Sequence, residues 1–288
     1  MLTRIDRVQL AVPDREAAAR GWVSLLGAEH AGDDSIAGLG AKRSRYRLGD
    51  GFVELLEPDG AGEVGDAVSV RGAHLFAAGA ATPDLAALRA HLHDRGVRPH
   101  EEAGQLHLDA EQTGGHGLRI VVSSEEALEP IGAVDGLYEV TNLVQDAKAT
   151  STACADLFGL AASAFVPIDS SHFGYDGFLT LFHPDRLHRF EVITPRVPEN
   201  TMGRFFTRSG ECLYMAFAES VELASIEERA AGEKVGFTAV PPAKGAGSDG
   251  PDTIFLHPKT LGGMMLGISR RHHAWTWSGS PERARTGR

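Results

Sequence analysis

One order of elements constrains this chain more than any other feature. A strand, a helix and then further strands recur four times, at a spacing of roughly 65 residues, and such periodicity has to be read before any single motif. The first unit opens with RIDRVQLAV, where Val8, Leu10 and Val12 alternate with Gln9 and Ala11. That alternation predicts a strand with one apolar face. Pro13 and Asp14 stop it, Asp14 caps the helix REAAARGWVSLLG, and Gly27 ends that helix. A Gly- and Asp-containing loop follows, then a strand around SRYRLG, a tight turn at Gly49-Asp50-Gly51 and the strand FVELLEP.

The order repeats from Gly72, with GAHLFAA, a helix start at Thr82-Pro83-Asp84, and GLRIVVS. It repeats from Asp135, with GLYEVTNLV, Asp146 before KATSTACADLFGL, and HRFEVITP. The fourth pass begins at Gly210, with ECLYMAFA, VELASIEERAAG, the polar loop PPAKGAGSDGPD, then TIFLHP and GGMMLGIS. Units one and three end alike, as do two and four, so a pair of modules looks duplicated. The charged, turn-rich stretch SSEEALEPIGAVDG is the expected boundary. This gives an N-terminal domain over 1–128, a C-terminal domain over 133–271 and a tail over 272–288 that ends in SGSPERARTGR and is expected to fray.

Composition narrows the function. The 288 residues carry a formal net charge of −11, which argues against a broad nucleic-acid footprint. A small anionic ligand held by one or two local basic groups stays open. The two cysteines, Cys154 and Cys212, are too few for a disulfide scaffold, and no CxxC motif occurs. The start MLTRIDRVQL lacks a signal-peptide layout, and no apolar run approaches the ~20 residues of a bilayer span. The expectation is a cytoplasmic protein with a small-molecule partner, no nucleic acid and no membrane, as monomer or homodimer.

"IDRVQLAVPDREAA…LLG" followed by "GFVELLEP" resembles the first module of the vicinal oxygen chelate superfamily. "FLHPKTLGGMMLGIS" resembles the closing strands of its methylmalonyl-CoA epimerase-like members. The resemblance implies an α+β fold: four tandem βαβββ modules pairing into two U-shaped mixed β-sheet cups with flanking helices. It further implies metal ligands projecting into a cup from the first and last strands of each module. Strand alternation turns Gln9 and Glu54 away from the apolar face, with His74 opposing Leu75. Gln9, Glu54 and His74 thus stand where the resemblance puts three ligands, a set that suits a divalent ion such as Zn, Mn, Fe, Co or Ni. The fourth position falls on Arg119 or Val121, neither of which binds metal.

In the C-terminal half the matching positions are Glu139, Glu191, Cys212 and Gly267. A ring-cleaving dioxygenase would show His, His and Glu at three of these places. Modules two and three could instead pair, assembling His74, Glu139 and Glu191, and the sequence leaves the pairing open. Two carboxylates such as Glu139 and Glu191 can divide acid and base roles, or each can pair with a nearby arginine, with Arg186 and Arg189 the candidates for Glu191. Arg119 can clamp a substrate carboxylate or phosphate, or be a solvated edge charge. His74 can be a half-buried strand histidine, Gln9 a hydrogen-bonded strand residue, and Cys212 a small core residue. Lys259 could touch an anionic tail. Trp275 and Trp277, at strand spacing, are expected on one packed face.

Three functions follow. The leading one is a metal-dependent isomerase, epimerase or lyase acting on an enolisable oxygenated molecule, with Glu54 or Glu191 moving the proton. The others are an Fe(II) dioxygenase and a non-catalytic binder of small molecules or drugs.

Overall fold

A computed structural model describes residues 1–242 and 250–285. Most of the loop PPAKGAGSDGPD and the last residues of the tail lie outside them.

The first sheet comprises β1 (Arg4–Ala11), β2 (Glu29–Ile36), β3 (Ala41–Leu48), β4 (Gly51–Pro58), β5 (His74–Thr82), β6 (His100–Glu102), β7 (Gln105–Leu108) and β8 (Ile120–Ser124). Their order in the sheet is β2-β3-β4-β1-β5-β8-β7-β6. The second comprises β9 (Gly136–Leu143), β10 (Val166–Ser170), β11 (Tyr175–Leu181), β12 (Arg189–Pro195), β13 (Cys212–Ser220), β14 (Phe237–Val240), β15 (Thr253–Leu256) and β16 (Met265–Arg270). It repeats the first as β10-β11-β12-β9-β13-β16-β15-β14. The fold is therefore α+β, with two curled mixed sheets of one design. Each sheet holds a consecutive module pair, so one joins two and three joins four. Even the irregularity is copied: the pairing of β5 with β1 skips a residue between Leu75 and Ala77, and that of β13 with β9 skips one between Leu213 and Met215.

The helices are α1 (Arg15–Leu26), α2 (Glu63–Arg71), α3 (Leu85–Asp94), α4 (Ala147–Phe158), α5 (Thr201–Ser209) and α6 (Leu223–Gly232). Asp14, Asp84 and Asp146 each accept a bond from the backbone N–H three residues on, capping α1, α3 and α4 as the sequence predicts. Each cap stabilises its helix by about 1 kcal/mol. Glu222 before α6 makes no such bond. Gly27 ends α1 at φ 69°, a left-handed conformation that glycine adopts without Cβ strain.

The apolar strand faces and these four helices form one core that spans both halves. Val8, Leu10, Trp22 and Leu25 share it with Val140, Phe158, Val192 and Leu266. Each such side chain stabilises the fold by about 1.5–3 kcal/mol. Cross-links tie the halves together: Arg229 Nε donates to the Leu25 carbonyl, and Arg95 Nε to that of Asp156. Gly21 touches the Thr260 carbonyl so closely that an added Cβ would sit 2.1 Å from its oxygen. The polar strand faces are thereby turned away from this core, into the two cups.

Three expectations change. The stretch after Gly27 is a strand, β2, paired with β3 through Glu29 and Arg47. The short helices α2 and α5 follow the last strands of modules one and three, where the sequence leads to no expected helix. Trp275 and Trp277 do not lie on a strand. His273–Thr276 is a single 3-10 turn, which buries Trp275 against Tyr138 and leaves Trp277 exposed. The tail is also fastened over its described part: Arg283 bonds Asp185 at 2.7 Å and lies over the Trp275 ring.

Candidate functional site

The N-terminal cup is closed by its own charges. Gln9 and Glu54 are register partners on β1 and β4, both wholly buried. Glu54 accepts from Arg7 Nη1 at 2.8 Å, Gln9 Nε2 at 2.7 Å, Gln105 Nε2 at 2.9 Å and Arg43 Nη1 at 3.3 Å. Arg7 also reaches Asp6 and Ser123, and Arg43 reaches Asp34 and Gln105. Burial alone would raise the Glu54 pKa. The Arg7 and Arg43 guanidinium groups outweigh it and hold the carboxyl down to about 2. The sequence reading missed Arg7, Arg43 and Gln105. Arg7 lies two residues before Gln9, on the same face of β1, and that spacing was the available signal.

The structure brings Gln9 and Glu54 together but keeps His74 apart. Because β5 skips a residue, Ala77 stands opposite Gln9, and His74 stands opposite Ala11 at the start of the strand. His74 Nδ1 bonds the Gly72 carbonyl at 2.8 Å. Burial, then Arg71 and Arg119, lower its pKa to about 4, so the ring is neutral near pH 7. The donor set of this cup does not suit a divalent ion, because a cation at Glu54 would face two guanidinium groups. Among the described residues no three His, Cys, Asp or Glu side chains are placed to share a metal. Arg119, expected as a substrate clamp, pairs with Glu63 at 2.6 Å and lies over the Phe76 ring.

The C-terminal cup is built on the same register with different chemistry. Glu139 pairs with Arg189 at 2.5 Å, both buried, so Arg189 serves Glu139 and not Glu191. Glu191, on the neighbouring register pair, accepts a bond from the Thr141 hydroxyl at 2.5 Å. Burial first, then the charge of Glu139, push the Glu191 carboxyl well above the ordinary carboxylate range. The alternative grouping of His74, Glu139 and Glu191 does not form, since β12 and β13 are the sheet neighbours of β9. Cys212 is buried and its thiol is pushed up by burial, as for a core residue.

Glu191 borders a cavity of about 460 Å³ walled chiefly by Phe173, Tyr175, Met215, Phe217 and Phe255. His172 and His257 also line it. A cavity of this size and character fits a small organic molecule. The N-terminal cup keeps a cavity of about 300 Å³, bordered by Gln9, His100, His107 and Arg119.

No protein-family model matches the chain, and no curated protein matches it. Solved structures do. A variant of 4-hydroxymandelate synthase from Streptomyces coelicolor superposes with TM-score 0.69 at 14% identity, over 98% of this chain and 99% of that one. A Mn(II)-bound glyoxalase from Novosphingobium aromaticivorans gives TM-score 0.59 at 15% identity, over 93% and 82%. A Streptomyces coelicolor methylmalonyl-CoA epimerase variant matches at 22% identity and TM-score 0.39, over 45% of this chain and all of that one. No helix among the described residues is long and apolar enough to cross a membrane.

Proposed function

We propose that this chain, which has the fold of the vicinal oxygen chelate superfamily, binds a small oxygenated, enolisable molecule in its C-terminal cup and exchanges a proton with it through Glu191. The observation that carries this is a buried carboxyl, without a guanidinium of its own, at the wall of an apolar cavity. An ordinary carboxylate is a weak base toward a proton on carbon beside a carbonyl. Burial and the Glu139 charge strengthen it, bringing it closer to the operating pH, where a general base works best. The Thr141 hydroxyl fixes one oxygen of Glu191. This describes an isomerase, epimerase or lyase step.

Metal dependence is the weaker part of the expectation, because Arg7, Arg43 and Arg189 already hold Glu54 and Glu139. A dioxygenase of this fold would need two histidines and a carboxylate converging. His172, His257 and Glu191 border one cavity but are not placed to share an ion.

The test uses 1-phenylpropan-2-one as an enolisable probe in D2O. Proton NMR should show deuterium entering beside the carbonyl with wild-type protein. Glu191→Gln should slow this by about 100-fold, within the usual range for a general base. Equal exchange by both proteins would sink the reading. Binding without any exchange would favour a non-catalytic binder.

A further inference from the structure

The C-terminal cup does not end at Tyr214 and Met265. Beside them lies a larger cavity of about 900 Å³ where the two halves meet. The two cavities share the lining residues Thr201, Tyr214, Thr238, His257 and Met265, so they adjoin. The walls of the outer part come from both halves: the last turn of α2 and the start of β5 on one side, α5 and β13 on the other.

The charge in this outer space has one sign. Arg71, Arg204 and Arg208 line it, with His74 and His257, and among the described residues no Asp or Glu does. This is a chain with 39 acidic residues against 28 Lys and Arg. Among the arginines that face the cups elsewhere, Arg7, Arg43, Arg119 and Arg189 each hold a carboxylate. The three here are not ion-paired among the described residues. Arg204 bonds the Glu199 carbonyl and the Thr201 hydroxyl, Arg208 lies over the Phe205 ring, and Arg71 sits beside Cys212. Like charges gathered without counter-charges raise the local potential for an anion. Guanidinium forks suit the paired oxygens of a carboxylate or phosphate. Lys259, the basic residue the sequence singles out for an anionic tail, is exposed and does not line this space.

We propose that the junction binds the oxyanion head of an amphipathic ligand whose apolar part lies in the C-terminal cup against Phe217 and Phe255. This rests on the cup reading and adds the ligand class: an organic carboxylate or phosphate monoester with an apolar body. Arg204 and Arg208 on α5 and Arg71 on α2 hold the head, so both halves of the chain contribute to one site.

The experiment titrates the full chain calorimetrically with octanoate, octyl phosphate and octan-1-ol. The two anions should bind at least about tenfold tighter than the alcohol, and raising salt from about 0.05 to about 0.5 M should shrink that ratio. The ranking of the two anions tells a carboxylate from a phosphate ligand. A double variant, Arg204→Glu with Arg208→Glu, alters exposed positions, so the fold is kept. Its anion-to-alcohol ratio should fall about tenfold. Octan-1-ol binding as tightly as both anions would overturn the proposal and leave the cup reading standing. An unchanged ratio in the double variant would do the same. Failure of all three probes to bind would overturn both.

Discussion

The two cups were built from one plan and then given opposite interiors. At matched register positions the first holds Arg7, Gln9 and Glu54 where the second holds Glu139, Thr141 and Glu191. Opposite Arg7 on β5 stands Gly79, and opposite Glu139 on β13 stands Phe217. A Cβ on Gly79 would lie 1.9 Å from Arg7 Cγ, so the glycine is the space through which the arginine passes. Phe217 fills the equivalent place with an aromatic ring that walls the C-terminal cavity. The same strand position therefore carries a carboxyl held down to about 2 in one half and one pushed up in the other. Burial penalises both; two guanidinium groups answer Glu54, while Glu191 has the Glu139 charge beside it. The lesson is that this sheet supplies a position, while the residues around it choose between a locked ion pair and a titratable acid.

The largest test of that contrast removes the lock. Arg7→Met leaves Glu54 buried with the amides of Gln9 and Gln105 and, as its one guanidinium, Arg43 at 3.3 Å. A buried carboxylate losing its main partner should cost about 3–5 kcal/mol of stability in chemical denaturation. A loss below about 1 kcal/mol would mean that the network is not what holds the N-terminal cup closed. A smaller effect comes from the space itself. Gly79→Ala forces Arg7 or the strand to shift and should cost about 1–3 kcal/mol, again by denaturation. An unchanged midpoint would show that Arg7 has another path.

The pH profile separates the cups with a smaller effect. Glu54 binds its proton less tightly in the native state than in the unfolded chain, where the ordinary value is 4.5. Its contribution is present above that value and is lost as pH falls toward about 2. Glu191 is the reverse. The native state binds its proton more tightly, so its contribution is present at low pH and is lost as pH rises from the ordinary carboxyl range through the raised value. Wild type should lose stability relative to Glu191→Gln between pH 5 and pH 9, as a carboxyl pushed up to about 8 gives up its proton. Parallel stability curves for the two proteins would show that Glu191 titrates normally.

Much of this was legible in the sequence because period two and helix caps are local signals. Val8 against Gln9, and Asp14, Asp84 and Asp146 before their helices, needed no knowledge of distant partners. The cup interiors were less legible because they depend on register between strands far apart in the chain. Arg43 reaches Glu54 from β3, and Gln105 reaches it from β7. His74 was misplaced by one skipped residue in β5, and a shift of that kind moves a side chain off its expected neighbours. The junction arginines sit on α2 and α5, nine-residue helices that follow the last strands of modules one and three and so fall outside the repeating order of elements.

The smallest expected effect is none, and it bears on the sharpest disagreement between the resemblance and the residues. If Arg7 and Arg43 occupy the charge balance around Glu54, a divalent cation gains nothing there and meets two fixed positive groups. In the other cup, Glu139 is committed to Arg189, and Glu191 retains its proton into a range where a metal would have to displace it. Neither EDTA nor excess Mn(II) should therefore move the thermal midpoint by more than about 1 °C, because a ligand stabilises only the state it binds. A real site would be conspicuous, since a metal at 100 times its Kd adds about 2.7 kcal/mol. Stabilisation of that size in wild type, lost in Glu191→Gln but kept in Arg7→Met, would place a metal in the C-terminal cup and replace proton transfer by a lone carboxyl with Lewis-acid chemistry.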